Sequence, residues 1–256
     1  MPDFPPLRPA VLLLLAALLT PAAALAQPAA APDPASLTTV ADVVAVYPDR
    51  VAKLLEDLDL TRPDLAPVAA AEDEDDLEGA ATALLAYYRG TPEAAWVGRD
   101  PLINNPIGYD RPVHNDAMEV LRDTITLQGV TGPIVRTEDG TIDWMSKGPR
   151  DDFQWRLFLN RHYAMMVLAR TYGEAPDPAL AETASAFVTD WVVSNPVPGP
   201  AAGERALPRP WWPMTVTSRI LEVWPQVFYA LQPEPAFTDA ARLLMLLSIQ
   251  EHVTEL

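Results

Sequence analysis

The chain has 256 residues, no cysteine, three histidines and a formal charge of −17 at neutral pH. Without cysteine there is no disulfide, no thiol nucleophile and no thiolate-held metal, and three histidines are too few for a multi-histidine centre. The negative charge argues against nucleic acid as a partner, and no metal or cofactor is expected.

Residues 1–26 read as a cleavable signal peptide. Arg8 supplies a thin positive segment, Val11 to Leu19 an apolar stretch, and Ala24-Leu25-Ala26 a small-x-small cleavage site before Gln27. An apolar run of about ten residues is too short to cross a bilayer core of about 30 Å as a helix. A retained anchor helix is the alternative. The expectation is export to a periplasm or the medium, with no membrane contact after cleavage. Residues 27–37 are rich in Pro and Ala and read as a disordered linker. Residues 38–256 then form one helical unit.

Thr38 or Thr39 can cap a helix carrying Val40, Val43, Val44 and Tyr47, which Pro48 interrupts. Val51, Leu54, Leu55 and Leu58 continue the pattern. The run Glu72-Asp73-Glu74-Asp75-Asp76 suits the positive end of a helix over 77–89, stopped by Gly90. A calcium loop is the alternative, but the run lacks the spaced ligands and glycine of one. Residues 91–112 read as a long loop, followed by a helix over 116–128 stopped by Gly129. Ile134-Val135-Arg136 and Thr141-Ile142-Asp143-Trp144 flank Glu138-Asp139-Gly140 and predict a short hairpin.

A helix over 152–172 is apolar on nearly every side, as expected of an inner, buried helix. Asp177 caps the next, Pro178 opens it and Asn195-Pro196 ends it. Its Glu182, Thr183, Thr189 and Asp190 make it look like an outer helix. After a Pro-rich loop, a third helix over 215–231 is kinked or split at Pro225, and Thr238 opens a fourth over 239–254. Two helix-loop-helix pairs in succession point to an all-α repeat, a solenoid or toroid.

Asn160, Arg161 and His162 interrupt the most apolar helix. A buried arginine needs a partner or a cavity. Arg161 therefore either pairs with an acid such as Asp152 or Glu222, or opens onto a groove and meets a ligand's carboxylate or sulfate. His162 alone reads more readily as a core histidine than as a catalyst.

The segment Trp155-Arg156-Leu157-Phe158-Leu159-Asn160-Arg161-His162-Tyr163 resembles the W-x-x-x-L-N-R-H motif of heparinase II/III-type polysaccharide lyases. Leu58 to Leu65, Ala80 to Arg89, Asp190-Trp191, Trp211-Trp212, Arg219 and Trp224 resemble further segments of that family in the same order. The resemblance implies an incomplete (α/α) toroid, followed in the family by a β-sandwich beyond the residues present. It also implies cleavage of uronic-acid polysaccharides, such as heparan sulfate or alginate, by β-elimination. That reaction needs a group that neutralises the C5 carboxylate, a base for the neighbouring proton and an acid for the leaving O4.

The resemblance assigns no catalytic residue within this chain, so the isolated chain is expected to be inactive. It implies that His252 is supporting structure. Asn160, Arg161, His162, Trp212 and Arg219 are the candidate contacts to an acidic sugar. Core packing competes for Trp211 and Trp212, and a surface ion pair with Glu222 competes for Arg219. Between residues 40 and 100 there are fourteen acids against five bases, whereas 150–230 holds eight against seven. A locally basic groove would thus sit in the second half, although the overall balance leans away from a highly sulfated substrate. A non-catalytic acidic-sugar-binding module and a helical-repeat interaction scaffold are the alternatives.

Overall fold

The computed structural model describes residues 32–91, 116–198 and 209–255. The expected signal peptide, the start of the linker and nearly all of the 91–112 loop lie outside them. The last residues of the expected linker are ordered. Pro34–Ser36 form a 3₁₀ turn, capped by Asp33, that packs on the helix starting at Pro178. Leu37 is buried beside it, and covering that leucine explains the order.

Helix α1 (Val40–Val46) opens with a reciprocal cap. Thr39 Oγ1 accepts from the Asp42 amide, while the Asp42 carboxylate accepts from the amides of Thr38 and Thr39. These donors hold Asp42 down to about 2. Pro48 then begins α2 (Pro48–Glu56), whose Val51, Leu54 and Leu55 face the core. A short α3 (Ala66–Asp73) takes in the first two residues of the acidic run, Glu72 and Asp73. Asp76 caps α4 (Leu77–Gly90) by accepting from the Gly79 amide.

The segment after residue 116 departs from expectation. Only one helical turn forms, α5 (Ala117–Val120), and the chain then extends as β1 (Thr124–Leu127) against β2 (Val130–Pro133). Alternation explains this: Ile125 and Leu127 are buried while Thr124 and Thr126 are half-buried on the other face. Gln128 and Gly129 both have positive φ, 54° and 73°, as a two-residue hairpin turn requires. Gly129 is therefore a turn residue, not a helix stop. The hairpin expected over 134–144 reduces to one bridge, Arg136 with Ile142.

Gly148 supports the turn before the next helix with φ 65°, and a Cβ there would fall on the Trp155 indole. Gly148→Ala is expected to lower stability by about 1–3 kcal/mol. A urea midpoint equal to wild type would show that this turn can shift freely.

The expected helix over 152–172 is two helices, α6 (Phe153–Leu159) and α7 (Tyr163–Glu174), meeting at a corner. Asn160 Nδ2 takes the Arg156 carbonyl, and His162 adopts the left-handed conformation at φ 64°. Both stop the helical ladder. Helix α8 (Pro178–Ser194) matches its expected caps. It is more buried than an outer helix would be: Ser185, Thr189 and Asp190 are covered along with its apolar residues, while Glu182 is exposed. It packs on α7 and on the long α11 (Asp239–Glu255), which is buried on most sides from Ala240 to Leu247.

Between them run α9 (Pro213–Thr217), a π-helix over Ser218–Val223, and α10 (Trp224–Ala230). Pro225 has no N–H to donate into the preceding turn, and the widened turn lies just before it. Arg50 reaches from α2 to Glu251 on α11 through two hydrogen bonds of 2.5 and 2.9 Å, joining the two ends of the bundle. The all-α class with one short antiparallel hairpin is thus the observed architecture. Among the described residues no helix is long and apolar enough to cross a membrane.

Candidate functional site

The corner between α6 and α7 is tied to several distant elements. Asn160 is fully buried, and all its side-chain groups are used. Its Nδ2 donates to the carbonyls of Trp144 at 2.8 Å and Arg156 at 3.0 Å, and its Oδ1 accepts from Trp191 Nε1 at 3.0 Å. Its backbone carbonyl, one of the α6 terminal carbonyls that no helical amide can reach, accepts from Arg219 Nη1 at 2.6 Å.

Arg219 is itself fully buried, with no carboxylate among its partners. Its Nη2 donates to the Pro210 carbonyl at 2.9 Å and to His252 Nε2 at 2.6 Å, and its carbon centre lies 3.9 Å over the Trp191 ring. Burial pushes the guanidinium down from its ordinary value. It remains protonated because guanidinium is intrinsically very basic and every partner is a lone pair. The negative end of α6 and the Trp191 face stabilise the charge in place of an anion.

The expected Arg219–Glu222 pair does not form. In a turn closed by i→i+5 bonds, position i+3 no longer stands above i. Glu222 instead accepts from Tyr163 Oη at 2.8 Å.

The two histidines among the described residues, His162 and His252, are neutral core groups. His252 Nδ1 donates to the Ser248 carbonyl, which leaves Nε2 as the acceptor for Arg219. Burial, and then the Arg219 charge, push His252 down to about 3. His162 Nδ1 accepts from Trp224 Nε1 at 2.9 Å, and burial lowers its pKa well below the usual histidine range. Around them pack Trp144, Trp191, Trp211 and Trp224, with Trp211 stacked on His252 at 4.3 Å. Trp211 donates to the Asn195 carbonyl and is a packing residue. Neither imidazole can exchange a proton with a bound ligand from this position.

Asn160, His162 and Arg219 were expected to contact substrate, yet their side chains reach no solvent and bond only within the core. Arg161 and Trp212 remain half-buried. Arg161 lies over the Phe158 ring at 4.4 Å and has neither Asp152 nor Glu222 as an ion-pair partner among the described residues. Its Nε is buried with no acceptor. Trp212 packs its ring 5.6 Å from Phe153.

Residue-type reasoning did not anticipate the second anchor. The Asp190 carboxylate accepts from the Ile142 amide at 2.9 Å and Trp144 Nε1 at 2.7 Å, fastening the bridge segment to α8. Burial raises its pKa, against those donors. An acid set between the apolar pairs Phe187-Val188 and Trp191-Val192 was the available signal.

A family model described as "Heparinase II/III N-terminus" matches residues 54–256. Among solved structures, the chain is similar to heparan sulfate lyase HepC from Pedobacter heparinus, with 24% identity and a TM-score of 0.61 over 79% of this chain and 31% of that one. It is also similar to a structure described as "Heparinase III-BT4657 gene product, Methylated Lysines", with 25% identity and a TM-score of 0.60 over 77% and 32%. The chain thus spans about a third of the length of these structures. No curated protein matches it.

Proposed function

The chain belongs to the heparinase II/III family, matching its N-terminal region, and from that premise we propose that it is the toroid portion of an exported lyase that cleaves uronic-acid polysaccharides by β-elimination. Export rests on the signal-like first 26 residues. Heparan sulfate is the first substrate to try, because the similar structure from Pedobacter heparinus is a heparan sulfate lyase.

Within this portion the role assigned is substrate holding. The observation that carries it is Arg161, a half-buried cation without a carboxylate partner among the described residues, beside the half-buried rings of Phe158 and Tyr163. Such a guanidinium can take a sugar carboxylate or sulfate in two parallel hydrogen bonds, with apolar ring faces alongside. The general acid and base of the elimination are not drawn from the histidines here, because both described rings are buried and neutral.

Arg161→Ala is expected to weaken binding of a heparan sulfate oligosaccharide about 10- to 100-fold, as for loss of a charge-assisted pair. Calorimetric titration checks this, and unchanged affinity would remove Arg161 from the site. This chain alone is expected to release no unsaturated, ultraviolet-absorbing product from heparan sulfate. Measurable product would move the chemistry into these residues. A non-catalytic acidic-sugar-binding module predicts the same binding. It parts from the lyase reading if a longer product of the same gene also releases no unsaturated sugar.

A further inference from the structure

The corner residues have unequal fates: Asn160 and His162 point into the core while Arg161, between them, is half-buried at its edge. Something must hold the backbone so that only the middle side chain turns outward. Two turns of the 3₁₀ kind close the corner, from the Arg161 amide to the Phe158 carbonyl and from the His162 amide to the Leu159 carbonyl, each at 3.2 Å. Such turns are weak on their own. The left-handed His162 is a further cost, since that region is disfavoured for a residue with a Cβ.

The tie that over-determines the corner comes from across the core. Arg219 Nη1 binds the carbonyl of Asn160, the atom group that leads directly into the Arg161 peptide bond. Trp191, on which Arg219 stacks, holds the Asn160 side chain at the same time. Arg219 is in turn fixed by His252 and the Pro210 carbonyl, so it cannot swing away without leaving a buried charge unpaired. The π turn in which Arg219 sits directs it inward rather than toward Glu222.

We infer that Arg219 is a positioning residue for Arg161: by gripping the Asn160 carbonyl it sets the direction in which the Arg161 guanidinium is presented to an acidic sugar. The inference rests on the reading of Arg161 as the sugar contact, but the orientation itself can be observed without any ligand.

The test uses the whole chain and four variants: Arg219→Lys, Trp191→Phe, Arg161→Ala and, as a core truncation elsewhere, Val51→Ala in α2. One readout is the solvent exchange of the Arg161 Nε–H, followed by NMR. The other is the dissociation constant for a heparan sulfate oligosaccharide, corrected for the folded fraction from circular dichroism. Lysine keeps the charge but cannot span the carbonyls of Asn160 and Pro210 and the His252 ring together. Arg219→Lys is expected to speed Arg161 exchange and to weaken binding by about tenfold each. Val51→Ala should leave both unchanged even where it lowers stability.

Wild-type exchange and affinity in folded Arg219→Lys would overturn the inference. Should Arg219→Lys not fold, Trp191→Phe, which withdraws the indole N–H from Asn160 and part of the ring surface under Arg219, decides by the same two readouts. If Arg161→Ala binds the sugar as wild type does, the binding role fails. The exchange measurement then still decides whether Arg219 orients Arg161.

Discussion

Asn160→Leu is expected to lower the free energy of unfolding by about 3–4 kcal/mol, one of the largest single effects available in this chain. The substitution keeps the number and branching of side-chain heavy atoms and leucine is the bulkier of the two, so no cavity opens. What it removes is the acceptor of the Trp191 indole N–H and the donor to the Trp144 carbonyl, both deep in the core. Each buried group left without a partner costs about 1–3 kcal/mol. A urea titration should show a lower midpoint with an unchanged slope. A loss under about 1 kcal/mol would mean that water or a rotated side chain replaces the amide, and the corner would then be softer than described.

The second large effect is on pH. In the unfolded chain His162 and His252 take up a proton near pH 6.5. In the folded chain His252 does so only at about 3, and burial also holds His162 well below its usual range. Between these values the unfolded state binds more protons. Stability is therefore complete above about pH 6.5 and falls as the solution is made more acid. Each histidine contributes a slope of about 1.4 kcal/mol per pH unit. The informative interval is about pH 6 to 5, above the ordinary carboxylate range, where burial-raised groups such as Asp190 and Glu251 act in the opposite direction. Denaturation across that interval should show a steep acid loss, and His252→Gln should halve its slope. A flat profile would mean that both rings can be protonated without unfolding.

Much of the fold was legible because its signals are local. Asp177-Pro178 and Asn195-Pro196 bound α8 by capping chemistry that does not depend on neighbours, and Thr39, one of the two candidate threonines, does the same at the start of α1. The segment around Gly129 was misread because a glycine of positive φ ends a helix and turns a hairpin equally well. Only the alternation of Ile125 and Leu127 with threonines distinguished the two. The continuous helix over 152–172 failed for a different reason. The break is made by Asn160 and His162 with partners at Trp144, Trp191 and Trp224, none of which a helical period can reveal.

The site was half legible. The resemblance brought Asn160, Arg161, His162 and Arg219 together, and the structure places the corner and Arg219 in direct contact. Which of them are sealed in the core could not be read in advance. The acceptors that allow Arg219 to be buried are main-chain carbonyls, and any residue type supplies those. An arginine three residues before Glu222 reads as half of a surface ion pair until its carbonyls are found.

The grip of Arg219 on the corner also sets an order of events. With Asn160 it joins the bridge segment at Trp144, the corner at residue 160, α8 at Trp191, the π turn and His252 near the end of α11. Contacts so distant along the chain form only after the loops between them have closed. On a chain made from its N-terminus, helices α1 to α8 can collapse while the corner still lacks its cation and its imidazole. The corner that presents Arg161 is therefore among the last features to set, and α11 must dock before it can.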